Sequence, residues 1–220
     1  MRSWLRNNGL SITMFLLFAV SLVGQVLAGH RVHNNDQQEH GQPAIQLTEY
    51  LRSGHFVESV FENWESEFLQ MAAFVLLTAY LYQKGSPESR KLEGEPDLDK
   101  HPSKSKNESS PWPVHRGGLL LTLYSHSLSI ALCLLFAVSF LLHAAGGARE
   151  YSQEQLEHQS GSPISMWRYM GTSRFWFESF QNWQSEFLSV AVLVILSVFL
   201  RERRSPESKP VADPHHETGR

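Results

Sequence analysis

The chain has 220 residues, with 19 Lys and Arg against 22 Asp and Glu. That near balance leaves no basic surface of the kind a general nucleic-acid binder needs, so no nucleic-acid partner is expected. The single cysteine, Cys133, lies in an apolar block, which excludes a disulfide framework, a thiolate metal cluster and an intrachain redox pair.

The mean hydropathy of -0.26 averages dense apolar blocks with long polar segments, so the local pattern is what informs. Leu10 to Ala28 carries no charge and, at about 1.5 Å per residue, nearly matches a hydrocarbon core of roughly 30 Å. Arg2 and Arg6 before it and Ala28-Gly29 after it also fit a signal peptide, but the same kind of segment recurs inside the chain, so a retained span is expected. In the loop that follows, Pro43 suits the first turn of a short helix running to about Arg52. Phe68 to Tyr82 is the second apolar run, only 15 residues long, whereas a crossing needs roughly 20. The second helix must therefore take in part of the polar stretch before it.

Residues 84–118 hold Pro87, Pro96, Pro102, Pro111 and Pro113 among mixed charges and serines, the composition of a disordered linker. Leu119 to Ala145 is the third apolar run, interrupted by Ser125-His126-Ser127. Pro163 repeats the part of Pro43, with a helix to about Met170, and Phe187 to Leu200 is a fourth, short run.

These pieces occur twice. Asn63-Trp64-Glu65-Ser66-Glu67-Phe68-Leu69 returns as Asn182-Trp183-Gln184-Ser185-Glu186-Phe187-Leu188, Leu16 to Ser21 returns as Leu134 to Ser139, and Ser86-Pro87-Glu88-Ser89 returns as Ser205-Pro206-Glu207-Ser208. The predicted fold is an all-α membrane protein with four transmembrane helices, arranged as two tandem two-helix repeats in parallel orientation, with short helices in the outer loops. The first repeat covers 1–83, with spans at about 10–28 and 64–83 and an outer loop at 29–63. The linker is 84–118. The second repeat covers 119–203, with spans at about 125–146 and 182–201 and a loop at 147–181, and 204–220 is a disordered tail.

Lys and Arg number two at the amino end, seven in the middle segment and five in the tail, against two and three in the two loops. The positive-inside bias then places both termini and the linker in the cytoplasm and both loops outside the plasma membrane.

Helical spacing puts Asn63, Glu67 and Gln70, and likewise Asn182, Glu186 and Ser189, on one polar stripe of each second helix. Ionisable groups at membrane depth usually turn inward and find partners, and Gln25 and its repeat mate His143 lie at about the right depth. Glu65 becomes Gln184 in the second copy, whereas Glu67 and Glu186 are the same, so the latter pair is the better candidate polar or ion site. Three readings stay open for it: helices tied by hydrogen bonds, a cation or proton site, and partner docking. Trp64, Trp183, Phe68 and Phe187 read as aromatics at the membrane interface. His30, His33 and His40 have spacings that could approach a metal, but the second copy lacks them, and solvated loop residues are the better reading. No phosphate loop, nucleophile elbow or His-Glu-x-x-His stretch occurs, so no catalytic residue and no cofactor is predicted.

Ser53-Gly54-His55-Phe56, Phe61 to Met71 and Lys84 to Ser89 resemble an uncharacterised bacterial family of small, internally duplicated integral membrane proteins, with a repeated motif of this type. The resemblance spans nearly the whole chain, implies a bacterial plasma membrane and supplies no activity. The expected role is a non-enzymatic membrane or envelope scaffold in contact with the lipid bilayer, with a protein partner at the outer loops and a homo-oligomer both compatible with it. The alternatives are a small proton- or cation-linked transporter or channel using Glu67 and Glu186, and a membrane enzyme working at the outer face.

Overall fold

In a computed structural model of the chain, residues 2–91, 100–102, 106–157 and 162–219 are described. Parts of the expected linker (92–99 and 103–105) and of the second loop (158–161) lie outside them. The described residues are helical or in turns and loops, with no strand among them.

The helices are α1 (Arg2–Asn7), α2 (Gly9–Glu39), α3 (Leu47–Tyr50), α4 (Gly54–Tyr80), α5 (Trp112–Arg116), α6 (Gly118–Ser125), α7 (Ser127–Glu157), α8 (Met166–Tyr169) and α9 (Ser173–Phe199). The pattern long, short, long thus occurs twice, as α2-α3-α4 and α7-α8-α9. Each long helix runs further into the loop than its apolar run, because polar residues such as Asn34, Gln37, Ser152 and Gln155 continue the helix without breaking it.

Among the described residues three helices, α2, α7 and α9, are long and apolar enough to cross a membrane. In the most apolar 18-residue stretch of α2 no residue is buried inside the protein, and in α7 and α9 only 17% and 11% are. An apolar helix left uncovered by its own chain suits hydrocarbon, and these helices mark a multi-pass membrane protein. Helix α4 has the 27-residue length of α9 but falls short in hydropathy, since Gln70, Ala73, Ala79 and Tyr80 stand where α9 has Ser189, Val192, Val198 and Phe199.

The two short loop helices begin later than expected. Pro43 and Pro163 precede them in extended chain, and the first turns start after Gln46 and Ser165. The cause is local capping: the Gln46 amide donates to Glu49 Oε2 at 3.0 Å, and the Arg168 amide donates to Ser165 Oγ at 3.4 Å.

The chain divides into two compact units, Met1–Phe61 with Leu141–Phe175, and Glu62–Phe140 with Trp176–Arg220. Neither unit is one repeat. The first collects the loop-side parts of both copies and the second their linker-side parts.

Candidate functional site

In the loop-side unit the two copies are built by the same devices. Asn34 Oδ1 accepts from the Ile45 amide at 2.8 Å, and Ser152 Oγ accepts from the Ile164 amide at 3.0 Å, so each long helix holds the returning loop at the same point. Ser53 Oγ and Thr172 Oγ1 each donate to the carbonyl of the preceding tyrosine, Tyr50 or Tyr169, at 2.7 Å. The same hydroxyls accept from the amides of Phe56 and Phe175, capping the motif helices. Tyr50 and Tyr169 are the buried pegs of the two caps, and Gly29 and Gly147 let them approach the first helix of each hairpin.

Around these pegs the copies differ. Tyr50 packs against His30, His33, His55 and Phe56, with ring centroids 5.5 to 5.8 Å away, and its hydroxyl lies 3.4 Å from His55 Nδ1. In the second copy Tyr151 and Arg174 stand in place of His33 and His55, and Arg174 makes a bidentate pair with Glu154 while lying over the Tyr151 ring. Burial, and after it the neighbouring His33, hold the His55 imidazole below its usual value, with Asp36 and Glu154 pulling the other way. Burial first, and then Glu150, push the Tyr50 phenol up.

The sign of the pH effect follows. The folded chain binds the His55 proton less readily than the unfolded chain. Stability is therefore fully present above the unfolded value of 6.5, and is lost as pH falls through it towards the lowered folded value. Thermal unfolding between about pH 7.5 and pH 5.5 should show an acid limb. The double change His33→Tyr with His55→Arg, which installs the second copy's residues opposite Asp36, should flatten it. An unaltered limb in that variant would place the sensitivity elsewhere.

The linker-side unit contains the repeated motif. Its side chains tie one copy to the other. The Trp183 indole Nε1 donates to Glu65 Oε1 at 2.9 Å, Asn182 Nδ2 donates to Glu62 Oε1, and Gln70 Nε2 reaches the Glu186 carbonyl and Ser189 Oγ at 3.3 Å each. Of the first motif's two central carboxylates it is Glu65 that is buried, at 0% exposure, while Glu67 is exposed. The equivalent Gln184 is exposed and donates to the Gln181 carbonyl of its own helix at 3.2 Å. Comparing the copies therefore pointed away from Glu65, because the position is used in only one of them. Glu67 and Glu186 are close enough to interact electrostatically.

The aromatics do more than mark a membrane boundary. Across the helix pair, Phe136 of α7 packs against Trp183 of α9 and Phe140 against Trp176, each with centroids 6.3 Å apart. Within α9, Trp176 and Phe180 each stand edge-on to Trp183. Phe187 is 41% exposed on the same helix, and Trp64 and Phe68 are half-buried on α4.

The two Ser-Pro-Glu-Ser stretches, expected in disordered segments, form one turn twice. Ser89 Oγ accepts from the Gln83 amide at 3.0 Å and Ser208 Oγ from the Glu202 amide at 2.9 Å, while Ser86 and Ser205 hold the amides of Glu88 and Glu207. Beyond the second turn, Lys209 is 2% exposed and donates to the carbonyls of Pro214, His215 and Glu217. Burial pulls its ammonium below the usual lysine range, assisted by Arg201 and opposed by Glu217 and Asp213.

Of the other residues singled out from the sequence, Gln25 donates to the Ser59 carbonyl at 3.4 Å, and His143 is fully buried against Phe175. Asn63 is exposed on α4. His30 Nε2 holds the Ile45 carbonyl at 2.8 Å, His33 stacks on His55 at 5.1 Å, and His40 sits on Asp36 at the end of α2. His30 and His33 thus belong to the cluster around Tyr50, and His40 closes the end of α2. Glu58 was missed altogether: it is buried, accepts from the Tyr169 hydroxyl at 3.1 Å, and lies within 4.8 Å of His143 between ligating atoms. The available signal was its single occurrence, since Phe177 stands at its place in the second copy.

No curated protein and no solved structure matches the chain. The family model of a domain of unknown function, DUF6766, matches residues 1–220, and the chain belongs to that family.

Proposed function

We propose that this is a four-span scaffold of a bacterial plasma membrane. Helix α4 crosses beside α2, α7 and α9, both termini and the linker are cytoplasmic, and the two capped loops are presented outside to an envelope partner. The observation that carries the reading is the use of the repeated motif. Glu62, Glu65, Gln70, Asn182 and Trp183 join α4 to α9, so the most distinctive residues of the chain hold its copies together. The charge distribution supports the orientation.

Membrane-impermeant thiol labelling of single cysteines in a Cys133→Ser background tests the arrangement. Positions 45 and 164 should label in intact cells, and 84 and 203 only after permeabilisation. Labelling of 84 in intact cells, or protection of 164, would sink the four-span parallel model.

A second reading, a proton- or cation-linked membrane function, is favoured by the electrostatic contact of Glu67 with Glu186. The double change Glu67→Gln with Glu186→Gln separates the two. The scaffold reading expects thermal stability to respond to pH, sodium, potassium and magnesium in the same way before and after the change. The ion-linked reading expects a response that the double change abolishes.

A further inference from the structure

The loop-side unit holds one polar group that the duplication does not account for. Glu58 on α4, His143 on α7 and Tyr169 at the end of α8 are 8%, 0% and 0% exposed. The Tyr169 hydroxyl donates to Glu58 Oε1 at 3.1 Å, and a carboxylate oxygen of Glu58 and a ring nitrogen of His143 lie within 4.8 Å of each other. Phe175 covers one face of the imidazole, with ring centroids 4.9 Å apart. Gly147 makes the placement possible. A Cβ there would stand 2.7 Å from Glu58 Oε1 and 2.4 Å from the Tyr169 ring, so no other residue leaves room for both side chains.

The hairpin does not need this group. At the repeat mates of His143 and Glu58 the chain has Gln25 and Phe177, and the first copy forms the same cap with neither an imidazole nor a carboxylate there.

The chemistry of the donors narrows the ligand. Imidazole nitrogen with carboxylate oxygen suits zinc-class divalent ions, whose bonds to both are about 2.0–2.2 Å, so a modest side-chain rotation lets one ion join two atoms at this separation. A hydroxyl bonded to one oxygen of a carboxylate is a common outer partner, fixing the orientation of the ligand. We infer that Glu58 and His143 bind a divalent transition-metal ion of the zinc class, with Tyr169 positioning the carboxylate. Glu58 and His143 fill two coordination positions, and the remaining ones take further ligands. The inference is independent of the scaffold reading and of membrane orientation.

The test uses the full chain purified in detergent, stripped with a chelator, desalted, and titrated with zinc sulfate or cobalt chloride. Bound metal per chain, the visible absorption of bound cobalt and the thermal midpoint are read. Wild type should take up one ion with a raised midpoint. Glu58→Gln and His143→Gln should each weaken the affinity by about 10- to 100-fold, and Tyr169→Phe by about 10-fold. His33→Gln, in the histidine cluster of the other cap, should bind as wild type does. His143→Gln installs the residue that the first copy already carries, and its metal-free midpoint reports whether it folds. Failure of wild type to hold a stoichiometric ion overturns the inference whatever the variants do. So does undiminished binding by folded His143→Gln, or a loss confined to His33→Gln.

Discussion

Gly146→Ala and Gly24→Ala, the same chemical change in the interior of two long helices, are expected to move stability in opposite directions. Alanine is the better helix former, by about 1 kcal/mol, and at Gly24 nothing lies within 4 Å of the added methyl group, so that variant should gain up to about this amount. At Gly146 the methyl group would sit 2.5 Å from the Glu58 amide nitrogen and 3.0 Å from the Glu58 Cα. Those are backbone atoms of α4, which no rotamer change can move. The contact is reciprocal, because a Cβ on Gly54 would stand 2.6 Å from the Glu150 amide nitrogen and 2.8 Å from the Gly146 carbonyl. Helices α4 and α7 thus meet backbone to backbone through two glycines, the close approach that residues without a side chain allow. To admit the methyl group the helices must part, weakening the Tyr169 to Glu58 hydrogen bond with them. Overpacking of this kind costs about 1–3 kcal/mol, and rigid backbone on both sides argues for the upper end. Reversible unfolding of the three proteins in one detergent measures both signs. A Gly146→Ala variant as stable as Gly24→Ala would mean that the helices do not cross this closely.

Much of this was legible from the chain. The repeat announced itself in Asn-Trp-x-Ser-Glu-Phe-Leu, and the uncharged runs at Leu10 and Leu119 located long helices, because hydrophobic length is a local property. The short helices were legible in existence but not in start, since Gln46 and Ser165 cap them and the prolines do not. What could not be read was the part that Glu65 plays. The stripe of Asn63, Glu67 and Gln70 does reach α9, through Gln70. Glu65 lies beside that stripe and is the fully buried carboxylate, because its partner is the indole of Trp183 in the other copy. Periodicity within one helix carries no information about a neighbour more than a hundred positions away. The glutamate at 58 escaped for the related reason that its partners, His143 and Tyr169, come from the other repeat.

The Glu65 to Trp183 pair is where the proposed architecture is most exposed to measurement. A fully buried carboxylate accepts from an indole N–H at 2.9 Å, and hydrogen bonds to charged groups contribute about 1.5–3 kcal/mol. Glu65→Ala removes the acceptor and leaves the indole nitrogen beside a cavity, a loss of about 3 kcal/mol when the missing bond and the lost packing are combined. Trp183→Phe removes the donor, but it also thins the cluster with Phe136, Trp176 and Phe180, so neither single variant isolates the bond. The double-mutant cycle does, since the packing loss is common to both arms. In the Trp183→Phe background, Glu65→Ala should cost less by about 1–3 kcal/mol, the coupling energy of the pair. Glu67→Ala offers the contrast: its side chain is exposed, and its coupling to Trp183→Phe should be near zero. If Glu65 and Trp183 instead prove additive to within about 0.5 kcal/mol, the motif does not join the copies, and the scaffold reading loses the contact on which it stands.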